Sequence, residues 1–142
     1  MHSTLDLSSL VQAAGDAIIA AGADGKILLW NQEAERMFGF TVEEALGHSL
    51  DLIIPERLRA RHWEGYRRVM RTGQTHYGTE VLRVPALHKN GHTLSIAFTV
   101  ALLHAGDGGI QAIAAIIRDE TARWEEEHAL RRRLAELEAR SR

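Results

Sequence analysis

The stretch "RARHWEGYRR", residues 59–68, sets a histidine and two large aromatic residues inside a run of arginines. An imidazole in that setting has two uses: to ligate something, or to sit tolerated on a basic helix. Spacing narrows the choice. At 100° per residue, with Leu58 at 0°, Val69 falls at about 20°, His62 at about 40°, Tyr66 at about 80°, Met70 at about 120° and Gly65 at about −20°. Arg57, Arg61, Glu64, Arg67, Arg68 and Arg71 occupy the opposite arc, with Arg59 as the exception. His62 is therefore expected to point inward and the arginines to form a solvated face. Gly65, less than one turn on, would leave room for something flat beside the imidazole. An inward neutral imidazole is a good ligand for an iron-bearing cofactor. It is equally the description of a hydrogen-bonded core histidine, and both readings stand at this point.

Other residues with chemical potential are weaker. His88 and His92, two of eight histidines, flank the Asn90-Gly91 turn and can approach each other across a hairpin mouth. With no cysteine and no third ligand in view, solvent-exposed turn histidines are the better reading than structural zinc. The missing cysteines also exclude disulfides, thiolate chemistry and a flavin–cysteinyl adduct. "GDGG", residues 106–109, joins two strands rather than a strand and a helix, so it is a hairpin loop and not a phosphate cradle. No nucleophile with a paired base and no acid–base pair of carboxylates is recognisable, which argues against an enzyme.

These residues must be positioned by elements that the sequence punctuates clearly. Leu7, Leu10, Val11 and Ala14 follow helical spacing and predict an amphipathic helix ending near Gly15. "AIIAAGADGKILLW" reads as a β-hairpin about Asp24-Gly25. "NQEAERMFGF" is helical and stops at Gly39. "TVEEALG" is a short helix with a capping box, Thr41 with Glu44, and a Gly47 stop. Pro55 opens a long helix over 56–72 that Gly73 closes. Three β-rich segments follow, joined by the Asn90-Gly91 and "GDGG" turns, with Pro85 expected on a sheet edge or at a strand end. From Thr121 the chain is charged and free of glycine and proline, with Leu130, Leu134 and Leu137 spaced as a short coiled-coil seam. The simplest packing is α+β: a five-stranded antiparallel sheet with helices over one face and a pocket between the layers.

The 142 residues make one ordinary domain with a tail, and 45% hydrophobic content is enough for a core. A net charge of −2 gives no global field to attract nucleic acid or anionic lipid. No signal peptide or membrane span is recognisable, so a cytoplasmic protein is expected.

The segment "WNQEAERMFGFTVEEALGHSL" resembles the N-terminal signature of PAS domains, through Asn31, Ala34, Met37-Phe38-Gly39-Phe40, Thr41, Glu43-Glu44 and Gly47. "IIRDETARWEEE" is similar to the Asp-x-Thr element that enters the signalling helix in that family. Asp119 and Thr121 match, and Glu120 stands where an aliphatic residue is commoner. A Thr or Asp there is expected to cap the departing helix. The resemblance implies an N-terminal amphipathic helix at 1–15, a PAS domain at 16–119 and a C-terminal signalling helix at 120–142. It implies a sensory module that binds haem b, or another small ligand, and passes the signal through a homodimer to an effector domain. That effector would be a histidine kinase, a cyclic-dinucleotide enzyme or a transcription regulator. The alternative is a cofactor-free PAS domain acting as a dimerisation scaffold. No direct nucleic-acid or membrane partner is implied.

The helix 56–72 further resembles that of haem-binding PAS sensors, including rhizobial oxygen-sensing kinases, whose proximal histidine has a similar Arg-x-Arg-His setting. By position, His62 would ligate the iron and His76 would contact a propionate. Leu58, Gly65, Tyr66 and Val69 on the helix, and Leu82, Ile96 and Phe98 on the strands, would line the pocket. The sequence departs from that group on the distal side. Leu82 stands where oxygen sensors carry an arginine, and Glu80 where a related sensor carries a methionine ligand. Leu82 has no donor for bound oxygen, and Arg83 should point the opposite way along the strand. Haem here is expected to be five-coordinate or weakly closed and to favour NO or CO over oxygen.

Overall fold

A computed structural model describes residues 4–75 and 80–141. His76 lies outside the described residues. The chain opens with α1 (Leu7–Ala13), capped by Asp6, whose carboxylate accepts from the backbone N–H of Ser8 and Ser9. The hairpin β1 (Ala17–Gly22) and β2 (Ile27–Trp30) follows, then α2 (Gln32–Phe38) and α3 (Val42–Ala45). A 3₁₀ turn (Leu50–Ile53) leads to the long α4 (Glu56–Thr72). The strands β3 (Leu82–Leu87), β4 (Thr93–His104) and β5 (Ile110–Asp119) complete the sheet, and α5 (Thr121–Arg140) leaves it.

The five strands run β2-β1-β5-β4-β3, and every neighbouring pair is antiparallel. The α+β architecture expected from the sequence is thus present, with β5 at the centre between β1 and β4 and Pro85 in the middle of the edge strand β3. Alternation along the strands sends one set of side chains to an inner face. Ala17, Ile19, Ile27, Trp30, Ala86, Leu94, Ile96 and Ile117 meet Ala34, Met37, Phe38, Ala45 and Ile53 from the helices there and form the core. Punctuation falls where the residues require it. Gly39 and Gly73 end α2 and α4 in the left-handed conformation, and Thr41 with Glu44 closes a reciprocal capping box on α3.

Asn31 ties the first elements together. It is fully buried, and its amide donates to the carbonyls of Val11 and Asp16 while Oδ1 accepts from the N–H of Ile18 and Ala34. All four hydrogen-bonding positions of one side chain are used, joining α1, β1 and the start of α2.

The structure adds one element and corrects one expectation. The sequence gives no sign of the 3₁₀ turn, because four residues carry too little periodicity to declare a helix. The cap of α5 also differs: Glu120 is the N-cap residue and makes no side-chain cap bond. The Asp119 carboxylate instead accepts from the backbone N–H and the hydroxyl of Thr121. The Thr121 hydroxyl oxygen accepts from Ser95 N–H of β4 at 2.9 Å, and Glu120 N–H donates to Ser95 carbonyl at 2.8 Å. The start of α5 is bolted to β4.

Candidate functional site

The site is built on α4. Pro55 precedes its first turn, where a missing amide costs nothing, and the Gly73 N–H closes its end on the Val69 carbonyl at 2.8 Å. The inward arc of this helix is centred further round than Leu58. Tyr66 is buried, and Leu58, Arg59, His62, Trp63, Val69 and Met70 are half-buried. Gly65 is exposed, and a Cβ added there would meet nothing within 4 Å, so its expected place beside the imidazole is corrected to the solvent side. Arg59, out of place among the arginines by its angle, has a local task. It donates to the carbonyls of Ile54 at 3.0 Å and Asp51 at 3.3 Å, satisfying the end of the 3₁₀ turn.

Two aromatic side chains on the arc are held from outside the helix. Trp63 donates its indole N–H to Asp51 Oδ1 at 2.7 Å. Its six-membered ring lies on Gly25, where an added Cβ would be 2.3 Å from Cη2. Tyr66 donates its hydroxyl to the Gly22 carbonyl, and its phenol is pushed up to about 12, first by burial and then by the negative charge of Asp24. His62 packs against both, edge-on to Trp63 with ring centroids 4.6 Å apart and tilted against Tyr66 at 5.7 Å, while Trp63 and Tyr66 also meet each other at 5.2 Å. Burial lowers the imidazole below its ordinary range and outweighs the opposing pull of Asp51, so His62 is neutral at pH 7. Its Nδ1 is buried and has no hydrogen-bond partner among the described residues.

On the sheet, Leu82 pairs directly with Phe98, and Val84 with Ile96, all on the inner face. Ile96 belongs to the core and Phe98 packs against it, whereas Leu58, Val69, Met70 and Leu82 stay outside that cluster. The apolar side of α4 is therefore not stitched into the main core. Strand alternation holds through this region without a bulge. Arg83 lies on the opposite face, with its guanidinium 3.4 Å from the Glu120 carboxylate. Leu82, and not Arg83, is the residue on the inner face.

A protein-family model described as the PAS fold matches residues 11–125. This chain belongs to the PAS family. The PAS domain is 34% identical over 118 residues to an uncharacterised protein of Azorhizobium caulinodans, covering 82% of this chain and 16% of that protein. It is 28% identical over 133 residues to the sensor protein FixL of Bradyrhizobium diazoefficiens, covering 94% of this chain and 25% of FixL. The chain thus spans a quarter or less of the length of these curated relatives. Among solved structures, the PAS domain of a Colwellia psychrerythraea protein superposes with a TM-score of 0.71 at 20% identity, covering 82% of this chain and 95% of that one. The PAS fold follows from these likenesses.

Two other constellations of this PAS domain lie away from His62. The rings of His88 and His92 stack 4.5 Å apart and border a shallow depression with Glu33, Arg36 and Asp119. Among the described residues no group of three or more histidine, aspartate or glutamate side chains is placed to hold a metal ion. On the outer sheet face, a second depression is lined by Ala14, Gly15, Ile18 and Ile116 beside the Asp16–Arg118 ion pair. Sequence reasoning missed Asp51, Trp63 and Gly25. Trp63 falls at about 140° on the helical wheel, just past the arc considered, and its partners are remote in sequence.

Proposed function

We propose that this PAS domain is the sensory module of a longer signalling protein and takes haem b between α4 and the inner face of β3–β4. The observation that carries this reading is the His62 imidazole: held to its neutral form by burial, half-buried, and with a buried Nδ1 that no group among the described residues satisfies. Such an orphan is uncommon in a structural histidine and is what a ligand position requires. His62 would hold the iron, with Leu58, Tyr66 and Val69 on the helix and Leu82, Ile96 and Phe98 on the sheet as apolar walls. His76 would meet a propionate. Haem in this setting supplies an open coordination position for a diatomic gas. Leu82 offers that position no hydrogen bond, and Arg83 is turned away to Glu120, which supports a site favouring NO or CO over oxygen.

Output follows from the junction at β4. A ligand moves an equilibrium only through different affinity for two states. Ser95 adjoins the pocket residue Ile96 and is bonded on both its N–H and its carbonyl to the start of α5. A shift of β4 therefore reaches α5 directly, and through a dimer of such helices an effector domain. The module is read as non-catalytic and cytosolic. A second reading, a cofactor-free dimerisation scaffold, is favoured by the exposed apolar residues of α1 and α5.

The test is an absorption titration with hemin of the wild type beside His62→Ala. A sharp Soret band saturating at one haem per chain, and lost in the variant, is expected. Broad, unsaturating spectra in both would remove the haem reading and leave the scaffold.

A further inference from the structure

A metal-bound imidazole is usually oriented by a hydrogen bond from its second nitrogen to a carboxylate or carbonyl. His62 has no such bond: among the described residues neither ring nitrogen meets a protein partner, so whichever one ligates, the other does not fix the ring. Its orientation has to come from packing. The edge-on contact with Trp63 at 4.6 Å is the nearer of its two ring contacts. Trp63 in turn has little freedom. Its indole N–H is fixed on Asp51 at 2.7 Å, and its ring rests on Gly25, which has φ +77° and no side chain to displace it. The surface that receives Trp63 is itself cross-braced. Leu50 N–H donates to Gly25 carbonyl at 3.2 Å, Ile27 N–H to His48 carbonyl at 2.8 Å, and Gly47 N–H to Ile27 carbonyl at 2.9 Å. The β1–β2 turn and the 3₁₀ turn form one seat, and Trp63 is inserted in it.

We propose that Trp63, seated on Gly25 and held by Asp51, is the positioning residue that sets the orientation of the His62 imidazole. The inference rests on the proposed role of His62 as ligand, and extends it to a turn that the ligand does not touch. The seat acts through the ring contact: a Trp63 moved off Gly25 releases His62 to rotate, while the fold of the sheet is retained.

The experiment uses the whole chain in four forms: wild type, Trp63→Phe, Gly25→Ala and Asp51→Asn. Two readouts are taken from each, a hemin titration and the imidazole ring-proton NOEs of His62 in the haem-free protein. Trp63→Phe keeps an aromatic ring but loses the indole N–H. Gly25→Ala pushes on Trp63 without altering α4. Asp51→Asn keeps an acceptor oxygen and serves as the conservative rescue. Trp63→Phe and Gly25→Ala are expected to weaken hemin binding at least about tenfold and to weaken the NOEs from the His62 ring protons to the Tyr66 ring, with Asp51→Asn near wild type. Wild-type behaviour of Trp63→Phe in both readouts overturns the proposal, even if Gly25→Ala fails to fold. If wild type itself does not bind hemin, the haem reading fails and the NOEs alone decide: His62–Tyr66 NOEs lost in Trp63→Phe sustain the positioning role, and NOEs kept end it.

Discussion

The Tyr66 hydroxyl is buried, and its bond to the Gly22 carbonyl lasts only while the phenol keeps its proton. An unfolded tyrosine loses that proton near pH 10, whereas the folded one holds it to about 12. Between those values the folded state binds a proton that the unfolded state has released. The contribution of Tyr66 is therefore complete below pH 10 and is lost as pH rises toward 12. Urea unfolding of Tyr66→Phe at pH 8 should show a loss of about 1 kcal/mol, the worth of one net hydrogen bond. That gap should narrow with alkalinity, and a gap constant to pH 11.5 would contradict the assignment. Much of this site was legible in the sequence, since helical spacing alone placed His62, Tyr66 and Val69 on the inward arc. What spacing could not supply was the centre of the arc. That is decided by Gly22, Gly25 and Asp51, each far from the helix in sequence, and their pull turns Gly65 outward and brings Trp63 in.

At the scale of elements, local punctuation was the readable part. Gly39 was recognisable as a helix stop, but not as a landing place. The turn between β3 and β4 docks on it, with Lys89 N–H donating to Phe38 carbonyl at 2.8 Å and the His88 ring packed over Gly39. A Cβ at Gly39 would lie 2.6 Å from that ring, whereas one at Gly47 would meet nothing within 4 Å. Both glycines have positive φ, so an alanine at either costs roughly 1–2 kcal/mol in backbone strain. Gly39→Ala should exceed Gly47→Ala by about 1 kcal/mol or more in chemical denaturation, because the hairpin must also give way. Equal losses would show that this docking contributes little. The bolt between Ser95 and Thr121 was not legible for the same reason, because its partner is one that only folding brings near, whereas the 3₁₀ turn was missed because four residues carry too little periodicity.

The whole molecule leaves much apolar surface uncovered. Leu7 and Leu10 of α1, Leu103 and Ile116 of the outer sheet face, and Trp124, Leu130, Leu134 and Leu137 of α5 are all exposed. No residue of α5 is buried, so this helix does not fold back on its own sheet. In the proposed dimer these groups are covered by a second copy. Light scattering should then report a dimer for the full chain and a shift toward monomer when residues 121–142 are removed. A monomer at high concentration in both forms would remove the dimeric relay.

The edge strand β3 limits how such copies can meet. A proline within a sheet is tolerated where its nitrogen faces outward, away from the ladder. At Pro85 the outer rim of the sheet consequently lacks a donor, and the neighbouring Arg83 adds a charge to the same strand. A second chain cannot extend the sheet along this rim with an unbroken row of backbone bonds. Copies that meet along this rim must therefore associate through side chains rather than through a shared ladder. Contacts of that kind can slide and repack without breaking a ladder, and the sheet edge that refuses a neighbour thereby keeps the assembly reversible.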